Sequence, residues 1–531
     1  MMDKTYIFAE FDTFYGFFNP FTPYGQLYKE RRSFFTDAGL LEKQYQLTSV
    51  LAEFLANRKY QAGRLEFHLK NIPFVNPESP VTPGLSDLFL YKKFLSNAKA
   101  VFAILPPAVK KQLGIKWRSQ ELLNLLSGGG EGDAFRIADS ASLELSGIRG
   151  KLNDCVARIN ALRKEKIKEL RARCGLDFSA RDFIVMDETE ARKFAKTPGL
   201  FMEGYDSANL VVKPVFGPAY LDLLAGKEKY HKKEKELETG IIKGLAAEIN
   251  SRRRLIAAYV LNIEAVDVSV ARARLALQFH LTRPALNRGF GPLILKKARF
   301  LPLELMSKDM GLKYTPLSAA FSKRVNIIHG ANMGGKTVVL KTISFLQLLA
   351  QSGFFVPAEV FQTRIFEQAL LIGGAEEKTG GLSGFGLEMN DFVAALRVLT
   401  DKTALVLMDE FARTTNSSEA TALLSAVALD LAGRKNALTF IATHFSGLSS
   451  KANTDYLVMR GFDNAAFSKY FFQKTGAGLN AKLRMINKFM RYELIKGGKD
   501  CRIYDALKIA GILGVPGHII KNARKLMGER S

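Results

Sequence analysis

Residues 325–337 read Val-Asn-Ile-Ile-His-Gly-Ala-Asn-Met-Gly-Gly-Lys-Thr, and this stretch decides the fold. Its second part has the spacing of a phosphate-binding loop, in which glycines let successive backbone N–H groups surround a phosphate. A lysine then reaches the phosphate oxygens and a hydroxyl binds Mg²⁺. The apolar run before the loop predicts a strand, and the run at 338–351 predicts a helix whose positive end faces the anion. We therefore expect a nucleotide site at Gly330, Ala331, Asn332, Met333, Gly334, Gly335, Lys336 and Thr337.

Two further strand-like runs end in residues with catalytic chemistry. Residues 403–410 form an apolar run that ends in Asp409 and Glu410. In phosphate-loop ATPases the first such carboxylate serves Mg²⁺ and the second orients or deprotonates the attacking water. Residues 439–444 end in His444, whose neutral imidazole can contact the γ-phosphate. The sequence thus predicts ATP and Mg²⁺ as ligands, Thr337 and Asp409 at the metal, and Lys336, Glu410 and His444 in catalysis.

A third segment, at 382–389, reads Leu-Ser-Gly-Phe-Gly-Leu-Glu-Met. Serine and glycine before a helix form an anion-binding helix start. Because the loop at 330–337 already serves its own phosphates, we expect Ser383 to complete the nucleotide site of a second subunit. An ordinary capped helix start is the alternative reading.

Composition suggests where the chain works and what it meets. The 531 residues carry a net charge of +24, which favours nucleic acid or an anionic surface as a partner, although a general lysine bias would give the same excess. The three cysteines lack metal-type spacing, so we expect reduced thiols and neither a disulfide framework nor a zinc site. The N-terminus lacks a signal pattern, and no apolar run approaches the roughly 20 residues of a membrane span. These features predict a cytoplasmic protein without a membrane partner.

Periodicity divides the chain into four regions. Residues 1–138 are expected to be helical, and residues 139–282 to form two long helical arms separated by a β-rich insert at about 175–214. The charges on these arms fit either a solvated surface or nucleic-acid contact. Residues 283–475 alternate strands and helices, which predicts a mainly parallel sheet. Its strands are expected at Val325–Ile328, Ala369–Ile372, Ala404–Met408 and Leu438–Ala442. Residues 476–531 are expected to be helical, with a turn marked by Gly511, Gly514 and Pro516.

The order of these motifs resembles the ATPase domain of the MutS family, an ABC-like class of dimeric DNA-repair ATPases. The stretches that carry the likeness are 330–337, 353–358, 383–389, 409–415 and 442–444. The resemblance implies an α/β P-loop (ABC-like) ATPase domain, preceded by an all-α core and lever domain with a small β-rich clamp insert. It also implies a homodimer with two composite ATP sites and a C-terminal helical dimerisation segment. His444 would sense the γ-phosphate, and Ser383 would reach the partner's nucleotide.

The likeness is strongest to the branch without a mismatch-reading domain. That domain carries a Phe-x-Glu wedge, which Phe8-Ala9-Glu10 matches, but core-like helical sequence begins at once and we interpret the match as chance. Three junction motifs also depart from the family pattern. The usual G-R-G-T is Ala412-Arg413-Thr414-Thr415, the later Asp-Gly is Glu419-Ala420, and the usual Ser-Thr-Phe is Ser383-Gly384-Phe385. These departures put coupling between the two sites in question more than hydrolysis itself.

Two functions fit the resemblance. The first is a dimeric ATP-hydrolysing clamp that binds DNA by its structure, in mismatch repair or recombination. The second is an ATP-dependent reactivating factor for a cobalamin-dependent amino-acid aminomutase, because some short MutS-like proteins with altered junctions resemble such factors. Aminomutase genes next to this gene would favour the second. A scaffold that binds ATP without hydrolysing it is a third reading, which the presence of Glu410 disfavours.

Overall fold

A computed structural model describes most of the chain. The described residues are 2–127, 137–139, 142–287, 289–330, 334–373, 384–413, 415–449, 452–463, 466–467, 486–498 and 506–526. They form two compact units, each assembled from segments that are discontinuous in sequence. We call them the sheet unit (Met1–Lys70, Ile104–Ile115, Asn262–Ser531) and the arm unit (Asn71–Ala103, Lys116–Leu261).

The first part of the chain is helical. Its helices are α1 (Met2–Phe8), α2 (Phe11–Tyr15), α3 (Pro23–Glu30), α4 (Ala38–Asn57), α5 (Lys59–Lys70), α6 (Leu85–Ile104), α7 (Pro107–Leu113) and α8 (Gln120–Ser127). Two begin with a side-chain cap: Asp37 accepts from the backbone of Leu40 at α4, and Thr22 accepts from Gly25 at α3. Such caps satisfy N–H groups that the helix itself leaves unpaired.

The arm unit is built on two long helices, α9 (Leu143–Cys174) and α11 (Pro218–Ser251). They have 32 and 34 residues, which at 1.5 Å per residue gives lengths of about 50 Å. Between them lie β1 (Ile184–Asp187), α10 (Glu188–Arg192), β2 (Leu200–Gly204) and β3 (Asn209–Pro214), with the strands in an antiparallel sheet of order β1-β3-β2. Leu170, Phe178, Ala191 and Val212 form the small core of this insert.

The expected β-rich insert is therefore present, and β2 is a strand that the sequence reading did not predict. The second long helical stretch, expected at 219–282, is divided at Arg252 into α11 and α12 (Arg253–Gln278).

The sheet unit contains a six-stranded sheet of mostly parallel strands. Its strands are β7 (Val325–His329), β9 (Gln368–Gly373), β10 (Ala404–Asp409), β11 (Ala437–Thr443), β12 (Thr454–Phe462) and β13 (Met490–Lys496), in the order β13-β12-β7-β11-β10-β9. Only β13 is antiparallel to its neighbour. Every residue of β7, β10 and β11 is buried, as expected for strands covered on both faces by helices. The four strands expected from the sequence are confirmed to within two residues.

Three helices connect the strands of this sheet, and the loops at the carboxyl ends of the strands therefore lie at one edge. They are α14 (Lys336–Gln351), α15 (Gly384–Asp401) and α16 (Ser417–Gly433). α14 is buried over most of its length, because its apolar residues join the same core as β7, β10 and β11. Since β7, β10 and β11 run parallel, their carboxyl ends meet at one edge of the sheet, the usual place for a ligand in such folds.

A second sheet of the same unit was not predicted. It contains β4 (Ala285–Leu286), β5 (Leu293–Ala298), β6 (Leu317–Phe321) and β8 (Val360–Thr363), in the order β4-β8-β5-β6. Helix α13 (Leu301–Asp309) lies between β5 and β6 in the chain. The sheet mixes parallel and antiparallel pairs, so it lacks the long hydrophobic run of a buried parallel strand.

The expectation of a wholly helical C-terminal region is wrong for residues 490–496. This segment is the edge strand β13. Its burial alternates, since Met490, Tyr492 and Leu494 are buried or partly buried and their neighbours are exposed. Two helices do follow, α17 (Ala506–Leu513) and α18 (Gly517–Leu526). The expected turn lies between them at Gly514 and Pro516, whereas Gly511 lies within α17. None of the helices in the described residues has the length and apolarity needed to cross a membrane.

Phe8-Ala9-Glu10 has a structural role. Phe8 and Ala9 are buried in the main core of the sheet unit, and Glu10 forms an ion pair with Lys341 of α14 at 2.6 Å. The Lys341 ammonium also lies 5.6 Å from the Phe8 ring centroid. A buried phenylalanine cannot insert into a duplex, which agrees with the interpretation of this motif as a chance match.

Candidate functional site

The carboxyl ends of β7 and β10 open into a cavity of about 640 Å³. One wall is the phosphate-binding loop with the first turn of α14, and another is the end of β10. Strand β13, the segment around α13, Met459 of β12, Glu388 and Arg413 also line it. The volume lies within the usual range for small-molecule sites.

Two glycines of the loop have structural reasons to be glycine. Gly335 precedes α14 with φ +95°, a left-handed conformation that side chains rarely adopt, and a Cβ there would lie 3.0 Å from Tyr492 of β13. A Cβ on Gly330 would lie 3.0 Å from Met459 of β12. The loop therefore packs tightly against β12 and β13. Ala331, Asn332 and Met333, also expected to bind nucleotide, lie outside the described residues.

The structure brings Lys336, Thr337, Asp409 and Glu410 together at this cavity. The Thr337 hydroxyl donates to the Asp409 carboxylate, at 3.0 Å from one oxygen and 3.2 Å from the other. The Lys336 ammonium donates to the Gly330 carbonyl at 2.8 Å and lies 3.8 Å from a carboxylate oxygen of Glu410. Residues more than 70 positions apart thus form one polar cluster, because parallel strands end side by side.

Burial tunes the charges of this cluster. Asp409 is 8% exposed, and burial raises the pKa of its carboxyl while the Thr337 hydroxyl opposes that shift. Burial lowers the pKa of Lys336, and the nearby carboxylates of Glu410 and Asp409 oppose that change. A cluster of opposite charges with strongly burial-dependent pKa values is typical of functional sites.

The turn after β10 is strained and held from two sides. Glu410 and Ala412 both have positive φ, at +51° and +62°, a conformation that costs a non-glycine residue about 1 kcal/mol or more. The Glu410 N–H donates to the Ala442 carbonyl at 2.9 Å. The Ala412 N–H donates to a carboxylate oxygen of Glu388, on α15, at 2.8 Å. Ala412 is thus the residue in the left-handed position at which the family pattern has glycine.

Glu388 also lines the cavity, as does Arg413. Burial raises the pKa of Glu388, and its hydrogen bond from Ala412 opposes that shift. A guanidinium nitrogen of Arg413 lies 3.5 Å from the Glu410 carboxylate. Glu410 is therefore placed between two cations, Lys336 and Arg413.

Part of the cavity wall is apolar. Leu303 and Met306 of α13, together with Leu312 and Tyr314 of the following loop, supply this wall. Burial raises the pKa of Tyr314 to about 12, so its hydroxyl stays protonated, and its oxygen accepts a hydrogen bond from the Phe300 N–H at 2.6 Å. The cavity thus combines polar, charged walls with apolar walls.

The other two expected site residues, His444 and Ser383, are not seen at the cavity in the described part of the chain. His444 follows β11, is exposed, and has its ring 4.4 Å from that of Phe445. It is not among the described residues that line the cavity. Ser383 lies outside the described residues, which resume at Gly384 with the start of α15.

Sequence reasoning gave no role to Glu388, Tyr492 or His329. Glu388 lies within the 383–389 motif, and Tyr492 lies in a segment of alternating polarity. Either feature could have indicated that these residues line the site. His329 ends β7 directly before the loop; it is buried, its ring is parallel to that of Tyr456, and burial lowers its pKa. Its position inside an apolar strand gave no signal beyond its residue type.

Comparison with known proteins places these motifs in a family. Residues 326–530 match the family model for MutS domain V. The chain is 30% identical over 409 residues to the endonuclease MutS2 of Caldanaerobacter subterraneus, covering 74% of this chain and 46% of that protein. It is 29% identical over 317 residues to the endonuclease MutS2 of Lactobacillus acidophilus, covering 59% and 36%.

A relative from the mismatch-repair branch matches at a similar level. The DNA mismatch repair protein MutS of Streptococcus gordonii is 26% identical over 439 residues, covering 79% of this chain and 50% of that protein. The chain thus spans half or less of the length of these three relatives. The domain V match contains the phosphate-binding loop, the Asp409–Glu410 strand end and the edge strand β13 that closes the cavity. On these grounds, the chain is a member of the MutS family.

Proposed function

We propose that the cavity binds ATP with Mg²⁺ and hydrolyses it. The observation that carries this proposal is the contact between the Thr337 hydroxyl and the Asp409 carboxylate, beside Lys336 and Glu410 in one cavity. A hydroxyl and a carboxylate are the hard oxygen ligands that Mg²⁺ prefers, so the residues present fit that ion. When bound, Mg²⁺ neutralises charge that develops on the phosphate oxygens.

The roles of the residues follow from their positions. The backbone N–H groups of the loop and the Lys336 ammonium hold the phosphates, and Thr337 and Asp409 hold the metal. Glu410 orients the attacking water and accepts its proton. Lys336 now contacts Gly330 and lies near Glu410, so phosphate oxygens must replace these acceptors when the nucleotide enters.

The phosphate role of Lys336 is tested by nucleotide binding. We expect Lys336→Ala to weaken binding of a fluorescent ATP analogue at least tenfold, because a charged hydrogen bond to phosphate is lost. Lys402→Ala, an equal charge change at an exposed position of the same unit, is the control. Equal affinity of the Lys336 variant and the control would show that the loop does not hold phosphate.

We further propose that two copies form a homodimer with composite sites, in which Ser383 of each subunit reaches the nucleotide of its partner and His444 contacts the γ-phosphate. The exposed position of His444 leaves it accessible to a ligand that also contacts a second subunit. Sedimentation with and without ATP tests dimerisation. Ser383→Ala is expected to lower ATP-induced dimer formation, and a dimer unaffected by that change would exclude the role in trans.

DNA is the partner that we propose for the arms. The net charge of +24 supports this proposal, as do relatives named for DNA mismatch repair. Many arm cations are already paired: Arg163 with Asp182, Arg171 with Asp177, and Arg252 with Glu248. Lys164 and Lys168 are exposed and lie one helical turn apart on α9, so they are the better candidates for phosphate contact.

The DNA proposal is tested by the salt dependence of binding. The double change Lys164→Gln and Lys168→Gln should reduce the slope of log affinity against log salt by up to about two, since each phosphate contact contributes about 0.9. The control is Lys59→Gln with Lys402→Gln, two exposed positions of the sheet unit. No binding to duplex or branched DNA at low salt would exclude this function.

The aminomutase alternative gains no support from the relatives reported above, whose names refer to mismatch repair or to an endonuclease. It would regain interest if DNA leaves the ATPase rate unchanged while a purified cobalamin-dependent aminomutase raises it.

A further inference from the structure

A second cavity of about 840 Å³ lies in the sheet unit and shares no described lining residue with the nucleotide cavity. It lies between the first turn of α4, the loop that follows β4, and the connection between β8 and β9. We call it the Arg364 cavity, after the residue whose environment makes it notable.

Arg364 is a buried cation that lacks an ion-pair partner among the described residues. It is 9% exposed, and neither its Nε nor its Nη2 atom has a hydrogen-bond partner among the described residues. Its guanidinium carbon lies 3.9 Å from the centroid of the Phe290 ring and 4.7 Å from that of Phe366. Aromatic faces attract a cation, but they offer N–H groups no acceptor oxygen, so the desolvation of this guanidinium is only partly offset.

The neighbouring charges increase this deficit. A second guanidinium, that of Arg324, lies 5.2 Å from the same Phe290 ring. Burial, together with the charge of Arg324, lowers the pKa of Arg364 to about 10. An arginine held next to another cation and away from water is costly unless an anion compensates both.

The acidic residues of the cavity do not supply that anion. Among the described residues no carboxylate lies within ion-pair distance of Arg364. Glu42 pairs with Arg283. Glu367 accepts hydrogen bonds from the backbone N–H of Thr403, at 2.8 Å, and from its hydroxyl, at 3.2 Å. Both carboxylates that line the cavity are therefore engaged elsewhere.

Two other features make the cavity favourable for an anion. Ala38 and Gly39 line it with the first turn of α4, a helix of 20 residues whose positive dipole end is located there. The carboxylate of Asp37 already caps one N–H of this turn, that of Leu40, at 2.8 Å. Lys435, an exposed residue, lines the cavity as well.

The aromatic wall is fixed in place by its loop. Asn287 receives a hydrogen bond from Gln362 at 2.5 Å and donates through its side chain to the Pro292 carbonyl at 2.8 Å. Its backbone N–H donates to the Thr363 carbonyl at 2.7 Å. These bonds hold the loop that carries Phe290 beside the end of β8, so the stacking on Arg364 is a built arrangement.

We propose that the Arg364 cavity binds an oxyanion-bearing small ligand, with a phosphate or carboxylate group received by the guanidinium fork of Arg364 and supported by Lys435 and the first turn of α4. The planar guanidinium of arginine pairs with either group through charge-assisted N–H bonds. The ligand supplies the acceptors that the described residues lack. Because this cavity is separate from the nucleotide site, the proposal is independent of ATP hydrolysis.

The test is calorimetric titration of the full chain with inorganic phosphate and, separately, with succinate, at constant ionic strength set by chloride. Phosphate also fits the nucleotide loop, so each titration is made on the wild type, Lys336→Ala and Arg364→Gln. We expect Arg364→Gln to remove one binding event, or weaken it at least tenfold, while Lys336→Ala leaves that event unchanged. Comparing phosphate with succinate shows which oxyanion the site takes.

Milder variants keep the test decisive if Arg364→Gln does not fold. Arg364→Lys keeps the charge but loses the fork, and Lys435→Gln changes an exposed residue; both are expected to weaken the same event several-fold. Lys59→Gln, an exposed residue outside the cavity, is the matched control. The proposal is overturned if neither anion binds outside the nucleotide loop, or if binding is equal in the Arg364→Lys, Lys435→Gln and Lys59→Gln chains.

Discussion

The Thr337 hydroxyl contacts both carboxylate oxygens of Asp409, at 3.2 and 3.0 Å, and so joins the first turn of α14 to the end of β10. Burial raises the pKa of Asp409, which means that the folded protein holds this carboxylate ionised at a cost. A metal ion and its nucleotide would relieve that cost. Ligand binding is therefore expected to stabilise the edge of the sheet through this contact.

The Thr337 hydroxyl is expected to be essential for metal-dependent hydrolysis. Thr337→Val keeps the shape of the side chain but removes the oxygen, so the ATPase rate should fall at least about a hundredfold, the equivalent of about 3 kcal/mol. Thr337→Ser keeps the oxygen and should retain most of the rate. The measurement is steady-state ATPase activity as a function of Mg²⁺ concentration, and similar rates for the Val and Ser variants would contradict the role.

Glu388 is expected to act as a positioning residue for the strained turn. Glu388→Ala removes the acceptor for the Ala412 N–H, so Glu410 should lose its fixed orientation and kcat should fall roughly tenfold while ATP affinity changes little. Glu388→Gln keeps an acceptor oxygen and should restore most of kcat. If both variants lose ATP affinity instead, Glu388 serves the ligand directly and the positioning account fails.

Gly25 is expected to tolerate no side chain. A Cβ there would lie 2.2 Å from a carboxylate oxygen of Asp267 and 2.5 Å from Pro20, so Gly25→Ala should destabilise the sheet unit by about 2 kcal/mol. The matched control is Gly63→Ala, in helix α5, where a Cβ meets nothing within 4 Å. That control should gain up to about 1 kcal/mol from helix propensity. Chemical denaturation of both variants gives the comparison, and two changes of the same sign would refute the steric argument.

Asp267 is expected to make stability fall as pH rises. Its fully buried carboxyl accepts from the Phe21 N–H and from the Thr22 N–H and hydroxyl, yet burial raises its pKa from 3.8 to about 6. The folded state therefore binds the proton more tightly than the unfolded state does. The stabilisation is complete below pH 3.8 and is lost as pH rises through about 6.

Asp267→Asn lacks this titration and serves as the reference. Between pH 5 and pH 7 the wild type should lose about 1 kcal/mol of unfolding free energy relative to the variant. Urea unfolding at pH 5, 6 and 7 measures the difference. If the wild type instead gains unfolding free energy relative to Asp267→Asn between pH 5 and pH 7, the pKa of Asp267 is lowered by folding and the prediction is wrong.

Arg149 is expected to stabilise the pairing of the two arm helices. Its buried guanidinium on α9 contacts Glu234 at 2.8 Å and Glu238 at 2.6 Å, both on α11. Arg149→Met leaves these carboxylates without their cation and should cost about 3 kcal/mol. Arg163→Met, on the same helix, breaks a pair whose side chains are 40% and 79% exposed and should cost less than about 1 kcal/mol. Hydrogen exchange of the α9 amides distinguishes the two, and equal protection in both variants would contradict the prediction.

The sequence was most informative where a residue pattern has a single structural solution. The buried parallel strands at 325–329, 404–409 and 437–443 were predictable. Short continuous apolar runs near a phosphate-binding loop are typical of such strands. The cluster of Lys336, Thr337, Asp409 and Glu410 followed, since the carboxyl ends of parallel strands meet. Edge strands such as β13 and the strands of the mixed sheet containing β5 lack a continuous apolar run, because one of their faces is exposed.

Side-chain partners could not be predicted in the same way. The positions of Glu388 and Ala412 in the sequence do not indicate that they share a hydrogen bond. That bond depends on how α15 packs beside β10. The division of the second arm helix at Arg252 was also not evident, because the residues on both sides favour a helix. The burial of Arg364, whose Nε and Nη2 lack partners among the described residues, depends on the fold of three separate segments, so no local pattern marks it.

The most direct test of the central claim is a single-turnover measurement on Glu410→Gln, in which radiolabelled ATP binding and phosphate release are followed together. Glutamine cannot accept the proton of the attacking water, so the account predicts that the variant binds ATP with an affinity near that of the wild type while phosphate release slows at least about a hundredfold. Phosphate release at the wild-type rate would contradict the assignment of this cavity as the hydrolytic site with Glu410 as its base.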